Sequence, residues 1–125
     1  MTNARAVAVA DARPAAAESL AATLGAKAMD AEALINDPGI DAVIIGTPTT
    51  THYDLIHAAA AAGKAIFCEK PIDLSVDRIH DCLGIVAKAG VPFMTAFNRR
   101  FDPNFAHLQR QIADQVIGNV EIVTI

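Results

Sequence analysis

The chain has 125 residues, 53% of them apolar, with no tryptophan, and its 10 lysines and arginines against 14 aspartates and glutamates leave a formal net charge of −4. That is enough chain for one domain with its own core. The charge gives no general attraction to nucleic acid, and no apolar run approaches the length of a membrane span. The first residues, Met1-Thr2-Asn3-Ala4-Arg5, lack the charged-then-apolar form of a signal peptide, so a cytoplasmic location is expected. Ala6 to Ala10 reads as a short apolar strand closed by Asp11. Pro14 then opens a helix to about Leu24, ended by Gly25. Lys27 to Met29 is a candidate strand, Asp30 a cap for a brief helix over Ala31 to Asn36, and Asp37-Pro38-Gly39 a turn. Asp41 to Gly46 is apolar without alternation, the pattern of a parallel strand covered on both faces. Thr47 to His52 reads as a polar loop and Tyr53 to Ala62 as a helix stopped by Gly63. Ala65 to Cys68 is the next buried strand, and it ends abruptly in Glu69-Lys70-Pro71.

Ser75 is a candidate cap for a helix from Val76 to Ala89, ended by Gly90. Pro92 to Ala96 reads as a strand, Asn98 to Pro103 as a charged loop, and Phe105 to Val116 as an amphipathic helix. Asn119 to Ile125 alternates apolar and polar, unlike the earlier strands, and suggests a half-exposed strand of another sheet. Strands alternating with helices imply an α/β fold with a parallel sheet and helices on both faces. A dinucleotide fold begins with a strand, a glycine-rich turn and a helix that receives the pyrophosphate, yet no G-x-G-x-x-G occurs here. The first strand ends in an acid, as the second strand of such a fold does. The expectation is a sheet lacking its first β-α unit, with residues 1–118 a partial dinucleotide-binding domain and 119–125 the start of a second, substrate domain. Both ends read as cut.

Candidate chemistry gathers at strand ends, where open parallel sheets bind ligands. Asp11 can accept hydrogen bonds from ribose hydroxyls and repel a 2′-phosphate, which favours NAD over NADP; Arg13 beside it keeps NADP as the lesser option. The plain alternative is an Asp that caps the following helix. Glu69 and Lys70, held before Pro71, are either a surface ion pair or a reacting acid-base pair, and the Lys70–Pro71 bond is a candidate cis peptide. Cys68 and Cys82 make no disulfide framework and are expected to be buried, reduced thiols. His57, His80 and His107 have no metal-ligand spacing, and no metal is expected. Neither Ser19 nor Ser75 sits in a nucleophile elbow, and no Walker motif occurs.

Four strings in order carry a resemblance: Val7-Ala8-Val9-Ala10-Asp11, Thr47-Pro48-Thr49-Thr50-Thr51-His52, Phe67-Cys68-Glu69-Lys70-Pro71, and Phe97-Asn98-Arg99-Arg100-Phe101-Asp102-Pro103. Together with Ile117-Gly118-Asn119-Val120-Glu121, over nearly the whole chain, they resemble the Gfo/Idh/MocA family of NAD(P)-dependent sugar oxidoreductases, in particular its inositol-oxidising members. The resemblance implies a Rossmann domain followed by a larger α/β domain. It implies oxidation of a cyclic polyol or sugar hydroxyl, myo-inositol to an inosose, by hydride transfer to NAD. It assigns Lys70 as the catalytic residue; Asp11, Thr47, Pro48, His52, Glu69 and Lys70 to the cofactor; and Lys70 and Arg99 to the substrate. Arg100 and Asp102 are expected to form a structural ion pair. The family's further catalytic Asp and His belong to a later segment than this sequence contains. A small-molecule polyol and a homo-oligomer are the expected partners, with no nucleic acid or membrane. Two other readings stay open: a catalytically incompetent fragment that folds by oligomerising, and a family member acting on another sugar.

Overall fold

In the computed structural model, which describes residues 4–124, short parallel strands alternate with helices. β1 (Ala8–Val9) leads to α1 (Pro14–Leu24), β2 (Lys27–Ala28) and α2 (Ala31–Asn36). β3 (Ala42–Ile45), α3 (Thr49–Ala61), β4 (Ala65–Cys68), α4 (Val76–Ala89) and β5 (Phe93–Thr95) follow. A 3-10 turn (Asn98–Phe101) then precedes α5 (Pro103–Ala113).

Local chemistry sets most boundaries. Pro14 opens α1 where an N–H would have no partner, and Gly25, at φ 64°, ends it in the left-handed conformation that a side chain would disfavour. Asp30 Oδ1 accepts from the Ala33 N–H at 2.8 Å and starts α2. Three expectations about helix starts need correction. α3 begins at Thr49 rather than Tyr53, because the Thr51 N–H and hydroxyl both reach the Pro48 carbonyl, at 2.9 and 2.8 Å, and wind the threonine run into the first turn. α5 begins at Pro103, with Asp102 Oδ1 accepting from the N–H groups of Asn104 and Phe105 at 2.9 and 3.2 Å. Ser75 precedes α4 without a side-chain cap; Asp73 Oδ1 instead accepts from the Ser75 N–H at 2.9 Å. The strand expected over 119–125 is not formed at 119–124, which pair with no other strand, and Ile125 lies outside the described residues.

β1 pairs with β2, and β3-β4-β5 form a three-stranded sheet with β4 in the middle; every pairing is parallel. No ladder joins β1 to β3 among the described residues. A complete dinucleotide sheet runs 3-2-1-4-5-6. The break falls where the first strand of that order stands.

One face of the three-stranded sheet carries Val43, Ile45, Ile66 and Cys68 into the core against Ile56, Ala59 and Ala60 of α3 and Cys82 and Val86 of α4. The opposite face holds Ile44, Phe67 and Met94 in a row, one per strand, and it is open to solvent: Ile44 is 78% and Met94 45% exposed. The expected helical cover on both faces is thus met on one face of this sheet. α5 buries none of its residues. No helix among the described residues is long and apolar enough to cross a membrane.

Lys64, just before β4, is a buried cation. Its ammonium donates to the carbonyls of Asp37 and Ile40, both at 2.7 Å. Lys64→Met strips the Ile40 carbonyl of its donor and leaves the Asp37 carbonyl only the Ile40 N–H at 3.2 Å, and the expected loss is about 2 kcal/mol of stability in a urea melt.

The thiols of Cys68 and Cys82 are fully buried and unpaired. Burial pushes both up to about 11 from an ordinary value of 9.0; the neighbouring thiol adds to this at Cys68, and the Asp81 charge at Cys82. The folded state therefore holds these protons more tightly than the unfolded chain. Their contribution is complete below pH 9 and is lost as pH climbs toward about 11. Urea midpoints measured across that window should fall with rising pH, and less steeply in the Cys68→Ala, Cys82→Ala double variant.

Candidate functional site

The carboxyl ends of β3, β4 and β5 lie along one edge of the sheet, because Ile45 stands opposite Cys68 and Cys68 opposite Thr95. Beyond that edge come Thr47-Pro48, Glu69-Lys70-Pro71 and the turn that holds Arg99.

The last backbone bond between the first two loops runs from the Glu69 N–H to the Ile45 carbonyl at 2.9 Å. Past it, His52 takes over. Its ring is 1% exposed, with Nδ1 2.9 Å from the Pro71 carbonyl and Nε2 2.8 Å from the Thr47 carbonyl. A neutral imidazole has one N–H and can serve one carbonyl; the doubly protonated ring donates to both. The Thr47 hydroxyl is 2.7 Å from the Thr51 hydroxyl, so it is engaged within its own loop.

Lys70 is exposed, and the Lys70–Pro71 bond is cis. Glu69 does not pair with the Lys70 ammonium: its Oε2 accepts from the Lys70 backbone N–H at 3.2 Å, and no ion pair joins the two among the described residues. The carboxylate thus shapes the turn and leaves the ammonium to the solvent side. Arg99 is exposed and lies over the Phe105 ring, 4.9 Å from its centroid. The expected Arg100–Asp102 ion pair is likewise not formed, since the Asp102 carboxylate is occupied in capping α5.

Asp11 stands apart on the β1-β2 sheet. Its Oδ1 accepts from the Arg13 N–H at 2.8 Å and lies 3.7 Å from the Arg13 guanidinium, whose side chain is 84% exposed. Asp11 therefore makes a turn at Arg13 and does not cap α1, and its carboxylate stays open to solvent.

A second polar cluster, not anticipated from sequence, lines the seam of α3 and α4. The Tyr53 hydroxyl donates to Asp81 Oδ2, which also lies 3.2 Å from His57 Nε2. Arg78 stacks over Tyr53 at 4.0 Å and pairs with Asp73 at 3.0 Å. The Asp81 hydrogen bond, then burial, raise the Tyr53 hydroxyl above its ordinary value. The i,i+4 spacing of Tyr53 and His57 marks a shared helix face, but no sequence signal pairs them with Asp81. No three His, Cys, Asp or Glu side chains among the described residues are grouped to hold a metal ion.

The edge thus offers a backbone-rich loop after β3, an ammonium after β4 and a guanidinium after β5, with the Asp11 carboxylate on the separate β1-β2 sheet. Comparison with known proteins identifies the family. Residues 1–97 match the family described as an oxidoreductase family with an NAD-binding Rossmann fold. The chain is 53% identical over 123 residues to an inositol 2-dehydrogenase of Rhizobium meliloti, covering 98% of this chain and 37% of that protein. It is 44% identical over 117 residues to a scyllo-inositol 2-dehydrogenase (NAD(+)) of Bacillus subtilis, covering 92% and 34%. It superposes on a scyllo-inositol dehydrogenase of Lactobacillus casei solved with NAD(H) and scyllo-inositol, with a TM-score of 0.83 and 30% identity, over 90% of this chain and 34% of that one. The chain spans a little over a third of the length of these relatives. It belongs to the Gfo/Idh/MocA family of oxidoreductases.

Proposed function

We propose that this chain supplies the adenosine-ribose and nicotinamide ends of a dinucleotide site in an enzyme that oxidises a ring hydroxyl of inositol. The observation that carries the reading is the common edge beyond β3, β4 and β5, with the exposed Lys70 ammonium on it. The residues fit two ends of NAD. Asp11, exposed at the end of β1, suits the ribose hydroxyls and disfavours a 2′-phosphate. Thr47, Pro48 and Glu69 present backbone groups to the nicotinamide end. The glycine-rich turn for the pyrophosphate is not in this sequence.

NAD, when bound, supplies the hydride acceptor. Lys70 Nζ holds the reacting hydroxyl oxygen, takes part in removing its proton, and stabilises the negative charge that develops there. Arg99 offers a fixed fork of donors to neighbouring hydroxyls of the ring. Two free thiols accord with a cytoplasmic setting.

Calorimetry with NAD tests the cofactor half. Saturable binding is expected, weakened about ten- to a hundredfold by Asp11→Ala through loss of a charged hydrogen bond. No heat at millimolar NAD would refute it. For the chemistry, the protein assayed with NAD and myo-inositol should form NADH, and Lys70→Ala should lower kcat about a hundred- to a thousandfold. Unchanged turnover removes Lys70 from the mechanism. The open row Ile44-Phe67-Met94 favours a second reading, a chain that associates with itself and does not turn over. Sedimentation as a stable oligomer, with neither NAD binding nor NADH formation, would establish it.

A further inference from the structure

We propose that His52 is a positioning residue whose imidazole, donating to Thr47 O and Pro71 O together, fixes Lys70 against the Thr47-Pro48 loop. The inference deepens the reading of Lys70 given above and rests on it for its catalytic meaning, but the brace itself can be measured without turnover. Three observations carry it. His52 is too deeply buried, at 1% exposure, to touch a ligand directly. Both of its ring nitrogens are already within hydrogen-bond distance of protein carbonyls, one from each loop. And among the described residues no backbone hydrogen bond joins the two loops beyond the Glu69 N–H to Ile45 contact. The ladder stops at Glu69, and the imidazole spans the gap it leaves, with its Pro71 contact on the residue next to Lys70. A carbonyl accepts and cannot donate, so the ring that closes both contacts carries two N–H protons.

Long-range nitrogen–proton spectra of the wild-type imidazoles give the first readout. Two exchange-protected N–H protons on the His52 ring are expected. A ring with a single N–H is tied to one loop only and overturns the proposal.

Two variants separate the halves. An asparagine amide reaches about as far as Nδ1, and a glutamine amide about as far as Nε2. His52→Asn should keep the Pro71 bond and release Thr47, moving the backbone resonances of residues 46–48. His52→Gln should keep the Thr47 bond and release Pro71, moving those of Lys70 to Asp73. In turnover, His52→Gln should lower kcat about tenfold, the worth of one hydrogen bond of ordinary strength, with the KM for NAD nearly unchanged; His52→Asn should raise that KM and spare kcat. Both variants disturbing both loops, or lowering kcat and raising KM alike, would reduce His52 to a packing residue. If the wild-type protein neither binds NAD nor turns over, the oxidoreductase reading fails, while the imidazole spectrum and the two resonance patterns still decide the brace.

Discussion

Strand β4 hydrogen-bonds along both of its edges, and the position of every group beyond it follows from that. Its four residues pair with β3 on one side and three of them with β5 on the other. The side chains that alternate from it either enter the core, as Ile66 and Cys68 do, or point to the open face, as Phe67 does. Because all three strands run the same way, the loops that follow them emerge at one edge. That shared edge, rather than any single residue, is what brings a lysine after one strand and a backbone loop after its neighbour to the same side of the sheet.

Much of this was legible from residue pattern. The β-α alternation, the ends of α1 and α4 at Gly25 and Gly90, the Asp30 cap and the buried thiols all follow from local rules, and the structure bears them out. The failures share a cause. Thr49 to Thr51 look like loop by propensity, but hydrogen bonds to the Pro48 carbonyl fold them into helix. Pro103 looks like a loop residue until Asp102 is seen to cap it. Neighbouring opposite charges, Glu69 with Lys70 and Arg100 with Asp102, invite an ion pair on paper. In the fold each carboxylate turns to a backbone N–H, which is closer and costs less side-chain entropy. The Pro71 partner of His52 and both partners of Lys64 lie in distant segments, and nothing local in the sequence announces them.

The α3–α4 seam shows how polar groups are handled beside an apolar core. Asp81 receives the Tyr53 hydroxyl and stands by His57, while Arg78 covers the Tyr53 ring and binds Asp73. Arg78 thereby links the start of α4 to α3 through its stacked face and to the preceding loop through its charge. The two helices are held by this rim as well as by the Ile56, Cys82 and Val86 contacts beneath it.

The apolar character of both faces of the three-stranded sheet has a further consequence. Strand alignment is normally specified by contrast: a slip of one residue exchanges a greasy face for a wet one and is rejected at once. Here the contrast is weak, since Ile44 and Phe67 are as apolar as Val43 and Ile66. Information about alignment must then come from elsewhere, and the buried polar side chains at the two ends supply it. Lys64 finds its two carbonyls before β3 begins, and His52 finds its two after β3 and β4 have ended. A slipped β4 would carry Lys64 away from both of its carbonyls and Pro71 away from His52, leaving the imidazole only the Thr47 carbonyl of its own segment. The polar groups that look like concessions in an oily core are thus its addressing system, telling two interchangeable-looking strands which offset is the right one.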